Sequence, residues 1–218
     1  MSYTSKEISI DGYVYESSTQ NESHGYLVPA LEYFFDKYGP KDKSERIFDL
    51  GCGNGSVANH FHQRGYNIIG VDPSVEGIQH ANKAYSFLNL RNGSAYDDLA
   101  HEYGKFKFLY SLEVVEHVYA PRDYARTIKS LLATDGVAII STPYHSYLKN
   151  LALAITGKMD AHFTALWDHG HIKFWSIATL TELLNEVDLQ VVEIKRIGRT
   201  PVLAKSMMFA VTHSNKLS

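Results

Sequence analysis

Two short stretches of the 218-residue chain carry residue types that could do chemistry. The first is Glu113-Val114-Val115-Glu116-His117-Val118. Spacings of three and four would turn Glu113, Glu116 and His117 to one side of a helix that began near Glu113. Two carboxylates and an imidazole there could hold a divalent cation, or one of them could take a proton from an acceptor. They could also be ordinary first-turn groups, since carboxylates suit a helix N-terminus. The second stretch runs from Ile47 to Ser56, an apolar lead-in ending in Asp49 and three glycines, with Val57-Ala58-Asn59-His60-Phe61 reading as a helix behind it. A strand, a tight turn and a helix N-terminus cradle nucleotide-like ligands. Glycine is needed where such a turn takes unusual φ values and a ligand touches backbone.

The glycine spacing discriminates between ligands. A dinucleotide loop reads G-x-G-x-x-G and sets a pyrophosphate on the helix N-terminus. Here the glycines are Gly51, Gly53 and Gly55, and Ser56 stands where the third dinucleotide glycine belongs. Asp49 would repel a pyrophosphate and attract an ammonium group. A ligand with an amino-acid end and an adenosine end fits, and S-adenosylmethionine is such a ligand. The run Asp49-Leu50-Gly51-Cys52-Gly53-Asn54-Gly55 resembles the first motif of class I S-adenosylmethionine-dependent methyltransferases. Further on, Asp72 ends an apolar run and can accept both hydroxyls of a ribose. Asp72-Pro73-Ser74 also suits a helix N-cap, which Ser74 can supply instead. The resemblance implies that Ser94, Ala95 and Tyr96 hold the adenine, with Tyr96 either stacking on the purine or packing on the sheet. Asn54, Pro73, Leu112 and Glu113 complete the expected cofactor-binding set.

Those groups need a scaffold, and the apolar periodicity provides one. Helical spacing runs over 26–38 and stops at Gly39-Pro40. Strands are expected at 47–50, 67–72, near 87–90, at 106–112 and at 137–141. Helices over 75–84 and 121–132 lie between them, with Asp135-Gly136 as a turn. Alternating strands and helices argue for a largely parallel sheet covered on both faces. A helix over 177–187 and strands over 189–196 and 205–212 would close the sheet as a hairpin, with Gly198 and Pro201 in its loop. The fold expected is α/β: a Rossmann-like, seven-stranded sheet, mostly parallel, with a C-terminal antiparallel hairpin strand. It is read as a single domain over 1–218, with residues 1–40 as a lid and helix and Tyr13 and Tyr15 in the lid. A terminal hairpin of this kind resembles class I methyltransferases, so the resemblance runs from Ile47 to Thr212.

Residues 142–175 break the alternation. The connection is longer than usual, and long loops are usually functional. It holds both tryptophans and four of the histidines. Tyr144, His145, Trp167, His169 and Trp175 are expected to wall the pocket of a methyl acceptor. The alternative is a satellite core beneath a long loop. Leu148 to Ile155 reads as a short helix within it.

The Glu-Val-Val-Glu-His-Val run resembles ubiquinone-pathway O-methyltransferases. Combined with a distant His-x-Lys-Phe histidine, it also resembles metal-dependent methyltransferases of the 3′-terminal ribose of small RNAs. That second resemblance singles out His171 and implies one Mg, Mn, Fe or Zn ion among Glu113, Glu116, His117 and His171. Glu116, His117 and His171 are then the catalytic candidates; His117 as a metal-free base fits the same run. A hydroxyl acceptor needs such help to lose its proton, and an amine needs less. No Asn-Pro-Pro-Tyr-type tetrapeptide follows the fourth strand. A small-molecule hydroxyl is therefore the expected acceptor. RNA ribose, a nitrogen or carbon acceptor, and a non-catalytic cofactor-binding subunit are the alternatives.

Composition bears on that choice. The net charge of −3 argues against a general nucleic-acid partner. Cys52 is the only cysteine, which fits a reducing cytoplasm. The first residues lack a signal peptide's apolar core, and no apolar run approaches the ~20 residues of a membrane span.

Overall fold

The computed structural model describes Ser18 and residues 23–167 and 170–214. Tyr13, Tyr15 and His169 lie outside the described residues. The strands are β1 (Arg46–Leu50), β2 (Asn67–Asp72), β3 (Asn89–Asn92), β4 (Phe106–Leu112), β5 (Leu132–Pro143), β6 (Leu189–Ile197) and β7 (Ser206–His213). They form a seven-stranded sheet in the order β3-β2-β1-β4-β5-β7-β6. β1 through β5 pair in parallel, and β7 runs antiparallel to both of its neighbours. This is the Rossmann-like arrangement expected from the alternation.

The helices are α1 (His24–Tyr38), α2 (Ser56–His62), α3 (Val75–Ala84), α4 (Leu99–Tyr103), α5 (Pro121–Leu131), α6 (Tyr147–Ile155), α7 (Met159–Phe163) and α8 (Ile177–Glu186). Strands covered on both faces read as continuous apolar runs, with successive side chains going to opposite sides. Ile47, Phe108, Ile139 and Met208 enter one core with α1, α2 and α3. Phe48, Leu109, Ile140 and Phe209 enter the other with α5 and α8. In the first core the ring of Phe35 stacks on Phe61 at 3.8 Å and meets the edge of Phe108 at 4.7 Å. Burying one such ring contributes roughly 1.5–3 kcal/mol. Among the described residues, no helix is long and apolar enough to cross a membrane.

Two local expectations change, and two short helices are added. β3 begins two residues beyond Phe87, whose ring is exposed and lies against His62. Its apolar type marks a surface contact. Asp135-Gly136 is no turn between elements but part of an irregularity inside β5, where Phe106 pairs with Leu132 and Phe108 already with Val137. The helices α4 and α7, five residues each, are too short for periodicity to announce.

The order of the strands reverses between β1 and β4, so their carboxyl ends flank a switch point where open α/β sheets bind ligands. Just below it, the Ser111 hydroxyl donates to Leu50 O at 2.7 Å and accepts from the Tyr124 hydroxyl at 2.9 Å. That fully buried chain ties β4 to β1 and α5. Ser111→Ala should orphan both partners and lower stability by about 1–3 kcal/mol in urea titration. An unchanged midpoint would show that the link is not needed.

Candidate active site

Beyond β4 the chain does not enter a helix. Glu113 takes a left-handed backbone, φ +53, and His117 N donates to Val114 O at 2.9 Å in a turn; α5 starts only at Pro121. A positive φ at a residue with a side chain must be held by its surroundings. Here the Glu113 carboxylate accepts the hydroxyls of Ser141, at 2.8 Å, and Ser206, at 3.1 Å, while its N–H donates to Ser141 O. These bonds fasten the end of β4 to β5 and β7. Burial pushes the Glu113 carboxyl up to about 7.

Past the turn, Glu116, His117 and His171 converge, each offering a ligand atom within 4.8 Å of the others. Glu113 stands outside this trio because its oxygens turn to the two serines. The expectation that Glu113, Glu116 and His117 share a helix face and meet His171 from the connector thus gives way to a trio of Glu116, His117 and His171, the first two carried on a turn. Glu116 is 1% exposed, and one of its oxygens accepts the Thr142 hydroxyl at 3.0 Å. Its Oε1 has no hydrogen-bond partner among the described residues and lies 4.0 Å from His171 Nε2. Burial, with the nearby Glu113, raises the Glu116 carboxyl well above the usual range. Burial lowers His171 to about 4, with His117 adding to it, so its imidazole is neutral at pH 7. Trp167 stands edge-on to His171 at 5.4 Å and to His117 at 6.3 Å.

A cavity of about 600 Å³ joins His117 and His171, with Glu116 buried behind them, to the glycine loop. Asp49, Gly51, Gly53, Asn54, Leu112 and Glu113, all expected at the cofactor, line it. Gly51 has φ +90, and a Cβ there would collide with Val114. Asp49 is 2% exposed and its Oδ2 is an orphan acceptor. Burial pushes its carboxyl up to about 8; the Asp72 charge adds to this and the Tyr110 hydroxyl opposes it. The Tyr110 hydroxyl is near but outside hydrogen-bond geometry, and both it and Asp49 Oδ2 are left unbonded. A buried acceptor of this kind, beside a position only glycine fits, suits the ammonium end of S-adenosylmethionine.

Asp72 supports this loop directly. It accepts Gly53 N and Ser74 N, both at 2.8 Å, while Ser74 caps α3 through Gly77 N. Burial raises Asp72 to about 6. Gly55, Asp72, Pro73, Ser94, Ala95 and Tyr96 lie off the cavity wall, on the neighbouring strand ends. Gly93 N donates to Asp72 O, which keeps that group together. Tyr96 is half-exposed and its hydroxyl accepts Ala120 N.

The connector divides. Trp167, His162 and His171 line the cavity, whereas Tyr144, His145 and Trp175 do not. Tyr144 and Trp175 pack on the core, and Trp175 Nε1 donates to Val115 O at 3.1 Å. His145 is buried, stacked on Phe163, and burial lowers it to about 4. These three, expected in the pocket wall, lie behind it: Tyr144 and Trp175 face the core, and His145 packs between the rings of Phe163 and Phe174. Sequence reasoning missed wall residues from outside the motifs: His24 and Tyr26 of α1, Lys149 and Leu153 of α6, and Arg199. Each is an isolated residue with no spacing pattern, so only the fold brings it in.

Comparisons with known proteins point the same way. A family model described as a methyltransferase domain matches residues 20–194. The ubiquinone biosynthesis O-methyltransferase of Dinoroseobacter shibae is 31% identical over 182 residues, covering 79% of this chain and 71% of that protein. The protein of that name from Caulobacter sp. (strain K31) is 34% identical over 126 residues, 56% of this chain, and the match spans about half of that relative, 48%. Among solved structures, magnesium protoporphyrin IX methyltransferase from Synechocystis, with bound S-adenosylhomocysteine, superposes with TM-score 0.62 at 18% identity, over 86% of this chain and 82% of that one.

An ammonium group beside Asp49 would favour its ionised form, so its pKa, about 8 in the free protein, would fall on binding. Binding of S-adenosylhomocysteine should then release a proton and tighten as pH rises toward 8, by up to about tenfold per unit. Calorimetry in buffers of different ionisation enthalpy reads both effects, and Asp49→Asn should abolish them. A wild-type affinity that is flat with pH would show that Asp49 meets no cation.

Proposed function

The chain belongs to the methyltransferase-domain family and is an S-adenosylmethionine-dependent methyltransferase, and from that premise we propose that it methylates a hydroxyl oxygen of a small molecule. The observation carrying this reading is that His117 and His171, backed by the buried Glu116, line the same cavity as the glycine loop. An oxygen acceptor must lose its proton, and this trio is suited to that step.

Bound S-adenosylmethionine supplies a methyl group on a positively charged sulfur, which an acceptor lone pair can displace in line. Asp49 takes the ammonium end, Asp72 stiffens the loop and faces the ribose side, and Gly51 lets the ligand approach the backbone. Trp167 and Leu153 shield the acceptor from water and hold it against the trio. His171, neutral at pH 7, or His117 beside it, can accept the hydroxyl proton. The trio also fits a divalent cation: the orphaned Glu116 Oε1 lacks a partner and faces an imidazole nitrogen. Glu116, His117 and His171 would hold it, and it would lower the pKa of a bound hydroxyl. Carboxylate and imidazole together suit Mg, Mn, Fe or Zn. The same trio would suit a ribose at an RNA end; the net charge of −3 and the cavity volume of about 600 Å³ favour a small acceptor.

Purified protein should contain a divalent metal by elemental analysis. Chelation should abolish methyl transfer to catechols while leaving S-adenosylhomocysteine affinity intact, and Glu116→Gln should copy chelation in both readouts. Full turnover by metal-free protein would leave the histidines as simple bases. Separately, Trp167→Ala should raise the acceptor KM several-fold with little change in cofactor affinity, on the order of 1–2 kcal/mol of lost binding. An unchanged KM would move the acceptor elsewhere.

A further inference from the structure

The cavity wall far from the glycine loop is basic, in a chain whose net charge is −3. Lys149 of α6, Arg199 of the β6–β7 connection and Lys205 just before β7 all line it. Among the described residues none of the three has a carboxylate within ion-pair distance. Lys149 Nζ donates to the carbonyls of Tyr144, at 2.8 Å, and Ala204, at 3.2 Å, which aims it across the mouth of the cavity from α6 toward β7. Two carbonyls orient an ammonium group without neutralising it. Lys149 is half-buried and close enough to Arg199 to be disfavoured by its charge. The imidazole of His162 lines the same region. Glu113 acts on Lys149 only at longer range, and Lys205 lies over the Tyr26 ring. Cations crowded in a cleft with low-dielectric walls and no carboxylate in contact focus a positive field into it and select an anion.

We propose that Lys149 and Arg199 form an anion subsite for the methyl acceptor, so that the natural acceptor carries a carboxylate or phosphate group in addition to the hydroxyl. This rests on the methyltransferase reading of the cavity. The cofactor's own carboxylate is a poor candidate for the subsite. It shares one carbon with the ammonium group assigned to Asp49, at the end of β1. The carbonyls that hold Lys149 lie at the end of β5 and the start of β7, two to three strands away in the sheet. At roughly 4.8 Å per strand that is on the order of 10–14 Å. An acceptor with its hydroxyl at the trio and its anion at Lys149 fills this other half of the cavity.

The test titrates protein saturated with S-adenosylhomocysteine against three probes on one catechol ring: a carboxylate, a phosphonate and a neutral carboxamide. At least one anionic probe should bind roughly ten- to a hundredfold more tightly than the carboxamide, as expected for charge-assisted hydrogen bonds. The tighter of the two identifies the anion. The preference should disappear in Lys149→Met and shrink in Arg199→Met, with S-adenosylhomocysteine affinity unchanged in both. Arg199 is exposed, so its variant tests the subsite even if Lys149→Met loosens α6. Equal binding of all three probes, no binding of the anions at millimolar concentration, or an anion preference surviving in both variants would overturn the subsite. Weakened cofactor binding in the variants would reassign the cations to the cofactor. Failure of the wild-type protein to bind S-adenosylhomocysteine at all would instead strike the methyltransferase reading, and the subsite with it.

Discussion

The carbonyl oxygen of Glu116 accepts the backbone N–H groups of both Ile172, at 2.9 Å, and Lys173, at 3.0 Å. This clasp joins the turn after β4 to the far end of a connector more than fifty residues away in the chain. Around it, Trp175 Nε1 donates to Val115 O, the Thr142 hydroxyl donates to the Glu116 carboxylate, and His145 N donates to Trp175 O. Without the clasp nothing would bring His171 to Glu116 and His117. The left-handed turn at Glu113 serves the same end: it points the Glu116 carbonyl and carboxylate at the connector, whereas a helix would have spent that carbonyl on its own N–H groups.

Two buried carboxylates, Asp49 in the cavity wall and Glu116 behind His117 and His171, each leave one oxygen unsatisfied: Asp49 Oδ2 and Glu116 Oε1. Buried acceptors are almost always paired, and an unpaired one lowers stability by roughly 1–3 kcal/mol. Both sit where a positively charged partner is wanted, and burial raises the pKa of both. Glu113, equally buried, shows the contrast. Both of its oxygens are satisfied by serine hydroxyls, and it holds the backbone in place. Three acids near one cleft thus divide into two with an unsatisfied oxygen and one whose oxygens are both bonded.

Much of this was legible in the sequence. The succession of strands and helices, the glycine turn, Asp49 and Asp72 follow from local patterns, because a buried parallel strand and a tight turn each constrain consecutive residues. The trio was legible by residue type but for the wrong local reason. A helix was expected at Glu113, since nothing nearby in sequence reveals that its carboxylate finds Ser141, 28 residues away, and Ser206, 93 residues away. The aromatic residues of the connector were visible as a group, yet their division into wall and support depends on tertiary packing. Trp167 faces the cavity, while Trp175, eight positions on, is turned inward by its bond to Val115. Lys149 and Arg199 carried no signal at all, being single cations in unpatterned stretches.

The most direct test is anomalous diffraction from crystals grown with S-adenosylhomocysteine and Mn²⁺. A single manganese peak bounded by a Glu116 carboxylate oxygen and by imidazole nitrogens of His117 and His171, facing the homocysteine sulfur across the cavity, is the predicted result. A cofactor seated on the glycine loop with no peak at the trio, or a trio whose side chains do not converge, would contradict the account.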